Sequence, residues 1–218
     1  MCGRFTQTHT AESIAAMFDL DEIPNWQPRY NIAPTQSIGA IVEPHRFKLL
    51  RWGLIPSWAK DSTIGSKLIN ARAETVSEKP SFRDAFKRRR CLIVADGYYE
   101  WKKQAGKKQP FYFQLENHQP FAFAGLWEHW NAPEGEPIET CTIITTEANE
   151  LAATVHDRMP VILNPAQYDY WLDPTFKDAQ SLLHPYSSDA MQTYAVPLTV
   201  NSPAHDAPDC IVKIGENE

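Results

Sequence analysis

The chain has only four cysteines, Cys2, Cys91, Cys141 and Cys210, and no two of them form a C-x-x-C pair. That spacing argues against a structural zinc site and against a disulfide framework, and neither a metal nor an organic cofactor is implied. No apolar run reaches the length of a bilayer span, and no signal-peptide stretch follows the first residues. The expectation is a cytoplasmic protein without a membrane partner. Internal repeats, low-complexity tracts and Gly/Ser linkers are also missing, so one domain over residues 2–218 is expected, long enough to bury a core. Positive charge is in deficit too, with a net charge of −6 over 218 residues.

The deficit is unevenly spread. Between Arg46 and Lys108 there are 16 Lys and Arg against 6 Asp and Glu, whereas the rest of the chain has 5 against 21. A basic face on an acidic body suits a polyanionic partner, and a solvated helix face, above all at Lys87-Arg88-Arg89-Arg90, explains the same counts equally well.

The seventeen prolines divide the chain into short elements. Thr10 to Phe18 has a cap residue and the apolar spacing of a short helix, and Ser81 to Arg90 reads as an amphipathic helix with Phe82, Ala85 and Phe86 inward. Ser37 to Glu43 and Phe47 to Trp52 predict strands around a turn at Pro44-His45. Further β-branched or aromatic runs at 91–95, 98–102, 109–116, 120–126 and 139–146 predict more strands. Gln104 to Lys107 reads as a hairpin tip, Asn164-Pro165 as the start of a helix through Leu172, and the tail from Thr193 as extended. Cys91 and Cys141 open apolar runs and read as packed strand residues. Many strands with few helices predict an α+β fold, a curved or barrel-like, mostly antiparallel mixed sheet.

Cys2 has no apolar run around it. Removal of Met1 leaves a residue carrying both a free α-amine and a thiol, with ordinary pKa values of about 8 and about 8.5. Such a pair reacts distinctively with aldehydes: the amine condenses to a Schiff base, and the thiol then adds to the imine carbon and closes a thiazolidine ring. A lone Cys2 is a weak signal.

Four segments in order raise its weight: Met1-Cys2-Gly3-Arg4-Phe5, Ile69-Asn70-Ala71-Arg72-Ala73-Glu74-Thr75, Ala95-Asp96-Gly97-Tyr98-Tyr99-Glu100-Trp101 and Val155-His156-Asp157-Arg158-Met159-Pro160. With Arg29 to Pro34 and Trp52 to Pro56, they closely resemble the SRAP (SOS response-associated peptidase) family, to which abasic-site-shielding proteins of bacteria and eukaryotes belong. The resemblance covers nearly the whole chain. It implies a single SRAP-type domain acting on single-stranded DNA that carries abasic sites, at junctions with duplex as well, as a monomer, cytoplasmic and nucleoid-associated when on DNA.

By the same resemblance, Cys2 matches the nucleophile that forms a covalent thiazolidine DNA–protein link. Asn70 matches the amide that holds it, Glu100 the acid/base group that also serves reversal, and His156 the histidine assisting proton transfer at the sugar. Arg4, Arg72 and Arg158 fall where the family contacts phosphates. Trp58 is the candidate for an exposed aromatic that props bases apart, although Ala59 follows where some members carry a second aromatic, and the segment 60–67 is longer. Trp52, Trp101, Trp127, Trp130 and Trp171 read as core.

Plainer readings stand beside these. Asn70 could cap a turn, Glu100 could pair with Arg72 or Arg158, Asp157 could orient its neighbours or pair with Arg158, and Asp96 could serve the turn before Gly97. The remaining histidines, His9, His45, His118, His129, His184 and His205, read as surface or loop residues. Two rival readings remain: a Cys2-dependent thiol peptidase that uses the same residues and acts on its own N-terminus, and a non-covalent single-strand binder in which Cys2 is incidental.

Overall fold

A computed structural model of the chain describes residues 2–22, 25–104, 106–133 and 135–215. Thirteen strands occur among the described residues. They are β1 (Phe5–Gln7), β2 (Arg29–Ile32), β3 (Ser37–Val42), β4 (Arg46–Trp52), β5 (Asn70–Arg72), β6 (Arg90–Ala95) and β7 (Gly97–Gln104), then β8 (Lys107–Leu115), β9 (Phe121–Trp130), β10 (Ile138–Glu147), β11 (Arg158–Pro160), β12 (Ile162–Leu163) and β13 (Met191–Ala195). Four short α-helices accompany them: α1 (Ala11–Met17), α2 (Arg83–Arg88), α3 (Glu150–Ala153) and α4 (Tyr168–Leu172).

The strands form two sheets. In one the order is β13-β8-β7-β1-β2; the other runs β11-β10-β4-β3-β6-β9-β12, with β5 alongside β10. Pairing of β9 with β10 closes β10, β4, β3, β6 and β9 into a five-stranded barrel. It is mixed because β10 runs parallel to β4 and β5, while the other ladders are antiparallel. The α+β, barrel-like expectation is met. The expected strands at 91–95 through 139–146 are β6 to β10, and Cys91 and Cys141 are fully buried in two of them.

Helix α1 begins where expected because the Thr10 side chain accepts from the Ser13 N–H, and its single buried residue, Ile14, faces the core. Helix α2 buries Ala85 and Phe86 but stops at Arg88, short of the expected Arg90. Arg90 instead opens β6, and its guanidinium donates to the carbonyls of Phe86, Trp171 and Asp173. Arg89 pairs with Glu128 at 2.7 Å. The Lys87–Arg90 run is thus not one basic face, since two of its four cations are committed to the fold. Pro165–Gln167 is a 3-10 turn leading into α4, with Gln167 accepting from the Asn164 N–H at 2.9 Å. The tail departs from expectation. After β13 it forms 3-10 turns at Leu198–Asn201 and Pro208–Ile211, because Asn31 and Asp206 pin it in a curve. At the tip between Gln104 and Lys107, Ala105 lies outside the described residues, while the flanking pair is in register as a hairpin requires.

Strand β1 positions the N-terminal residues. Phe5 opposes Tyr98 and Thr6 opposes Gly97, and the Tyr99 N–H donates to the Arg4 carbonyl at 3.0 Å. Gly97 is required there: a Cβ would come within 2.1 Å of the Tyr112 hydroxyl, which Thr6 holds at 2.9 Å. Asp96 does more than serve that turn. Its buried carboxylate accepts from the Thr6 hydroxyl, from the Thr8 N–H and hydroxyl, and from the His9 N–H. Truncating it strands several buried donors, so Asp96→Ala is expected to cost about 3 kcal/mol, or roughly 6–12 °C of melting temperature in a domain of this size. Thermal unfolding followed by circular dichroism checks this, and a shift below a degree or two would contradict the anchoring role.

Candidate active site

The N-terminal segment passes between β7 and β5, and both strands bring chemistry to it. On β5, the Asn70 side-chain amide donates to the Cys2 carbonyl at 2.8 Å, so its task is not to cap a turn. Asn70 is set by parallel pairing with Ile143 of β10. The Cys2 side chain is wholly buried, packed in the core cluster that holds Phe5, Trp52, Tyr98 and Phe123. Among the described residues its thiol has one hydrogen-bond acceptor, the Arg4 carbonyl, at a long 3.8 Å. Burial, seconded by the nearby Glu100, pushes the thiol's pKa well above its ordinary value, so it rests protonated. Met1 lies outside the described residues.

Glu100 projects from β7 and is 4 % exposed. Burial raises its carboxyl above the usual range, and the nearby His156 works in the opposite direction. A carboxyl poised this way can both give and take a proton nearer neutrality than an exposed one. His156 sits in the bend between α3 and β11. The Arg158 backbone N–H donates to its Nδ1 at 3.0 Å, which leaves the neutral ring's proton on Nε2. The Asp157 carboxylate is 2.8 Å from the same Nδ1 but is 86 % exposed. The amide is fixed by the backbone, so it defines the neutral tautomer.

Glu100 and His156 line one cavity of about 490 Å³ together with Arg4, Trp101, Lys103, Lys108 and Asn201. An adjoining cavity of about 520 Å³ shares Lys108 and Asn201 and adds Lys107, Gln104, Gln109 and Leu198, continuing the basic rim along the β7–β8 hairpin. Lys103 stands directly opposite Lys108 across that hairpin, and no carboxylate pairs with either among the described residues. Like charges so placed repel, and a polyanion relieves the repulsion.

Arg4 is nearly buried. Its Nη1 donates to Asn31 Oδ1 at 2.6 Å and to the Val200 carbonyl at 2.7 Å, and its guanidinium lies 5.7 Å from the Trp101 ring centre. Its Nε has no acceptor among the described residues. Trp101, read from sequence as core, is instead half-buried on the cavity wall, its indole N–H bonded to Asn201 at 2.7 Å. Of the other tryptophans read as core, Trp52, Trp130 and Trp171 are buried and Trp127 is half-buried.

Cys2 and Asn70 lie behind the cavity lining rather than in it, and Arg72, Arg158 and Trp58 lie outside it too. Arg158 forms a paired contact with Glu74, at 2.5 and 3.0 Å, and donates to the Thr145 carbonyl. Arg158 thus takes Glu74 rather than Glu100 or Asp157, while Asp157 stands against His156, in line with the reading that it orients its neighbours. Arg72 is exposed and in register with Thr145, on the same stretch of β10. Trp58 is 57 % exposed, as expected of a stacking residue, with a 3.4 Å contact from its N–H to the Pro80 carbonyl. The longer segment after it is a 3-10 turn, Ser62–Lys67, capped by Asp61. Among the described residues, His205, Asp209 and Cys210 are the one group with metal-ligand character. They satisfy one another through contacts of 2.8, 2.9 and 3.6 Å and do not line the cavity. Sequence reasoning missed Asn31, Lys103, Lys108 and Asn201; the paired lysines flanking the hairpin tip were the available signal for two of them.

The sequence profile of the family described as SOS response associated peptidase (SRAP) matches residues 1–203. This chain belongs to that family. It is 50 % identical over 221 residues to the abasic site processing protein YoqW of Bacillus subtilis (strain 168), an alignment covering 97 % of this chain and 99 % of the relative. It is 36 % identical over 193 residues to the abasic site processing protein HMCES of Gallus gallus, covering 76 % of this chain and 56 % of that protein. A crystal structure of a protein from Bacteroides thetaiotaomicron superimposes with a TM-score of 0.90 at 28 % identity, covering 98 % of this SRAP chain and 100 % of the other. No helix among the described residues is long and apolar enough to cross a membrane.

Proposed function

We propose that this SRAP protein forms a covalent link to abasic sites in single-stranded DNA through Cys2, after Met1 is removed. The observation that carries the reading is the grip of Asn70 on Cys2 beside Glu100, which itself lines a cavity with Arg4, Lys103 and Lys108. The names of the relatives, abasic site processing proteins, agree with it.

The open-chain form of an abasic deoxyribose presents an aldehyde. His156, proton on Nε2, assists opening of the sugar ring by protonating its ring oxygen. The Cys2 amine adds to the aldehyde carbon, Glu100 protonates the carbinolamine hydroxyl, and water leaves to give the imine. The thiol then adds to the imine carbon, and its proton ends on nitrogen. Aldehyde and aminothiol thus become thiazolidine and water. The same carboxyl returns protons to the ring and makes the link reversible. Every group named belongs to one chain, so a monomer suffices. A thiol peptidase needs a ready thiolate, and burial of Cys2 works against one.

The test is mass spectrometry of the N-terminal peptide after exposure to abasic single-stranded DNA. The expected product lacks Met1 and carries Cys2 plus the sugar remnant minus water. An active preparation that retains Met1, or an adduct on any other residue, overturns the reading.

Phosphate binding is tested separately. Arg72→Ala, and the pair Lys103→Ala with Lys108→Ala, are each expected to weaken binding to undamaged single strands whatever their sequence. Each lost phosphate contact should flatten the logarithmic salt dependence by about 0.7. Titrations at several salt concentrations measure this, and an unchanged slope removes those residues from the strand's path.

A further inference from the structure

Tyr98 is wholly buried, and its hydroxyl has no hydrogen-bond partner among the described residues. The ring itself is well accounted for: it stacks on Phe113 at 4.9 Å with planes 8° apart and meets Phe123 edge-on at 6.2 Å. Phenylalanine would make those contacts without leaving a polar group dry, and an unpaired buried O–H is destabilising. The hydroxyl is therefore the unexplained part of the residue.

Its surroundings suggest a use. Tyr98 and Glu100 alternate on β7 and so face the same side of the sheet. Tyr98 opposes Phe5 of β1 and packs in the same cluster as Cys2. Burial first, then the nearby Cys2 and Glu100, oppose ionisation of its hydroxyl.

We propose that the Tyr98 hydroxyl donates a hydrogen bond to the Cys2 sulfur as that sulfur closes the ring. The proposal rests on the covalent reading above and assigns one of its steps. In that step the S–H bond breaks, an S–C bond forms to the imine carbon, the C=N electron pair moves to nitrogen, and nitrogen gains the proton; nothing else enters or leaves. Negative charge gathers on sulfur in a dry environment where burial and Glu100 both oppose it. A donor already fixed in place stabilises that charge without reorganising. The resting contact of the sulfur, 3.8 Å to the Arg4 carbonyl, is weak enough to give up. Burial also raises the phenol's own pKa, keeping it a donor.

The experiment compares wild type with Tyr98→Phe on abasic single-stranded DNA. Borohydride quenching at successive times counts imine, and denaturing gels without reductant count the closed ring. The variant is expected to form imine at the wild-type rate, to close the ring about ten-fold more slowly, and to melt at the same temperature or higher. Ring closure at the wild-type rate overturns the role of Tyr98 alone, as does equal slowing of both steps, which would mark a merely structural residue. A wild-type protein that gives no reductant-independent product overturns the covalent reading, and this proposal with it.

Discussion

Cys2→Ala protein, mixed with abasic single-stranded DNA, is expected to give no band that survives denaturation without added reductant. Alanine also permits removal of Met1, so the amine remains and imine still forms and dissolves. Only the internal thiol is lost. Ring closure by a thiol on the same residue benefits from an effective concentration that solution thiols do not approach, so the stable product should fall by at least about a thousand-fold. Cys2→Ser separates nucleophile from size, and a serine hydroxyl should leave at most the transient, borohydride-trappable imine. Binding to undamaged strands should change little in either variant, because the basic rim is intact. A persistent band with Cys2→Ala would mean that another residue carries the link and would remove the N-terminal cysteine from the chemistry.

Glu100→Gln is expected to slow reversal of the link by about a hundred-fold, the usual yield of a single general acid, while affinity for DNA changes less than about three-fold. The pH dependence follows from the direction of the Glu100 shift. Burial raises its pKa in the folded protein, so the protonated carboxyl persists to higher pH than an exposed glutamate would allow. Reversal, which needs that proton, should decline as pH rises through the raised value, and the Gln variant should lose the decline. Stability moves in the same sense. Between the ordinary and the raised pKa the folded state binds more protons than the unfolded one, so Glu100 makes the protein less stable as pH rises across that window. Chemical denaturation at several pH values should show the loss in wild type and its absence in Glu100→Gln. Reversal rates that match in the two proteins would exclude Glu100 from the mechanism.

The barrel was legible because its strands are apolar, β-branched and cleanly punctuated; Cys91 and Cys141 read correctly as packed strand residues for that reason. The short helices were less so. Arg90 carries the sequence signature of an exposed helical arginine, yet its carbonyl partners come from Phe86 nearby and from Trp171 and Asp173, far along the chain. The tail misled for a similar reason, since its curve is imposed by Asn31 and Asp206. In the candidate site, Cys2, Asn70, Glu100 and His156 were singled out through motifs in order, and the fold brings the Asn70 amide onto the Cys2 carbonyl. Trp101 was not assigned to it, because an aromatic in a strand has the same local pattern whether it faces core or cavity. Asn31 carries no chemical signal of its own; only the fold shows that one amide clasps Arg4 on one side and the tail on the other.

That clasp has a consequence for how the cavity wall holds together. Arg4 takes one acceptor from Asn31 and another from Val200, 196 positions further along the chain. The wall it forms beside Glu100 therefore exists only while three segments remote in sequence stay docked on one another. Loosening any one of them would open that side of the cavity.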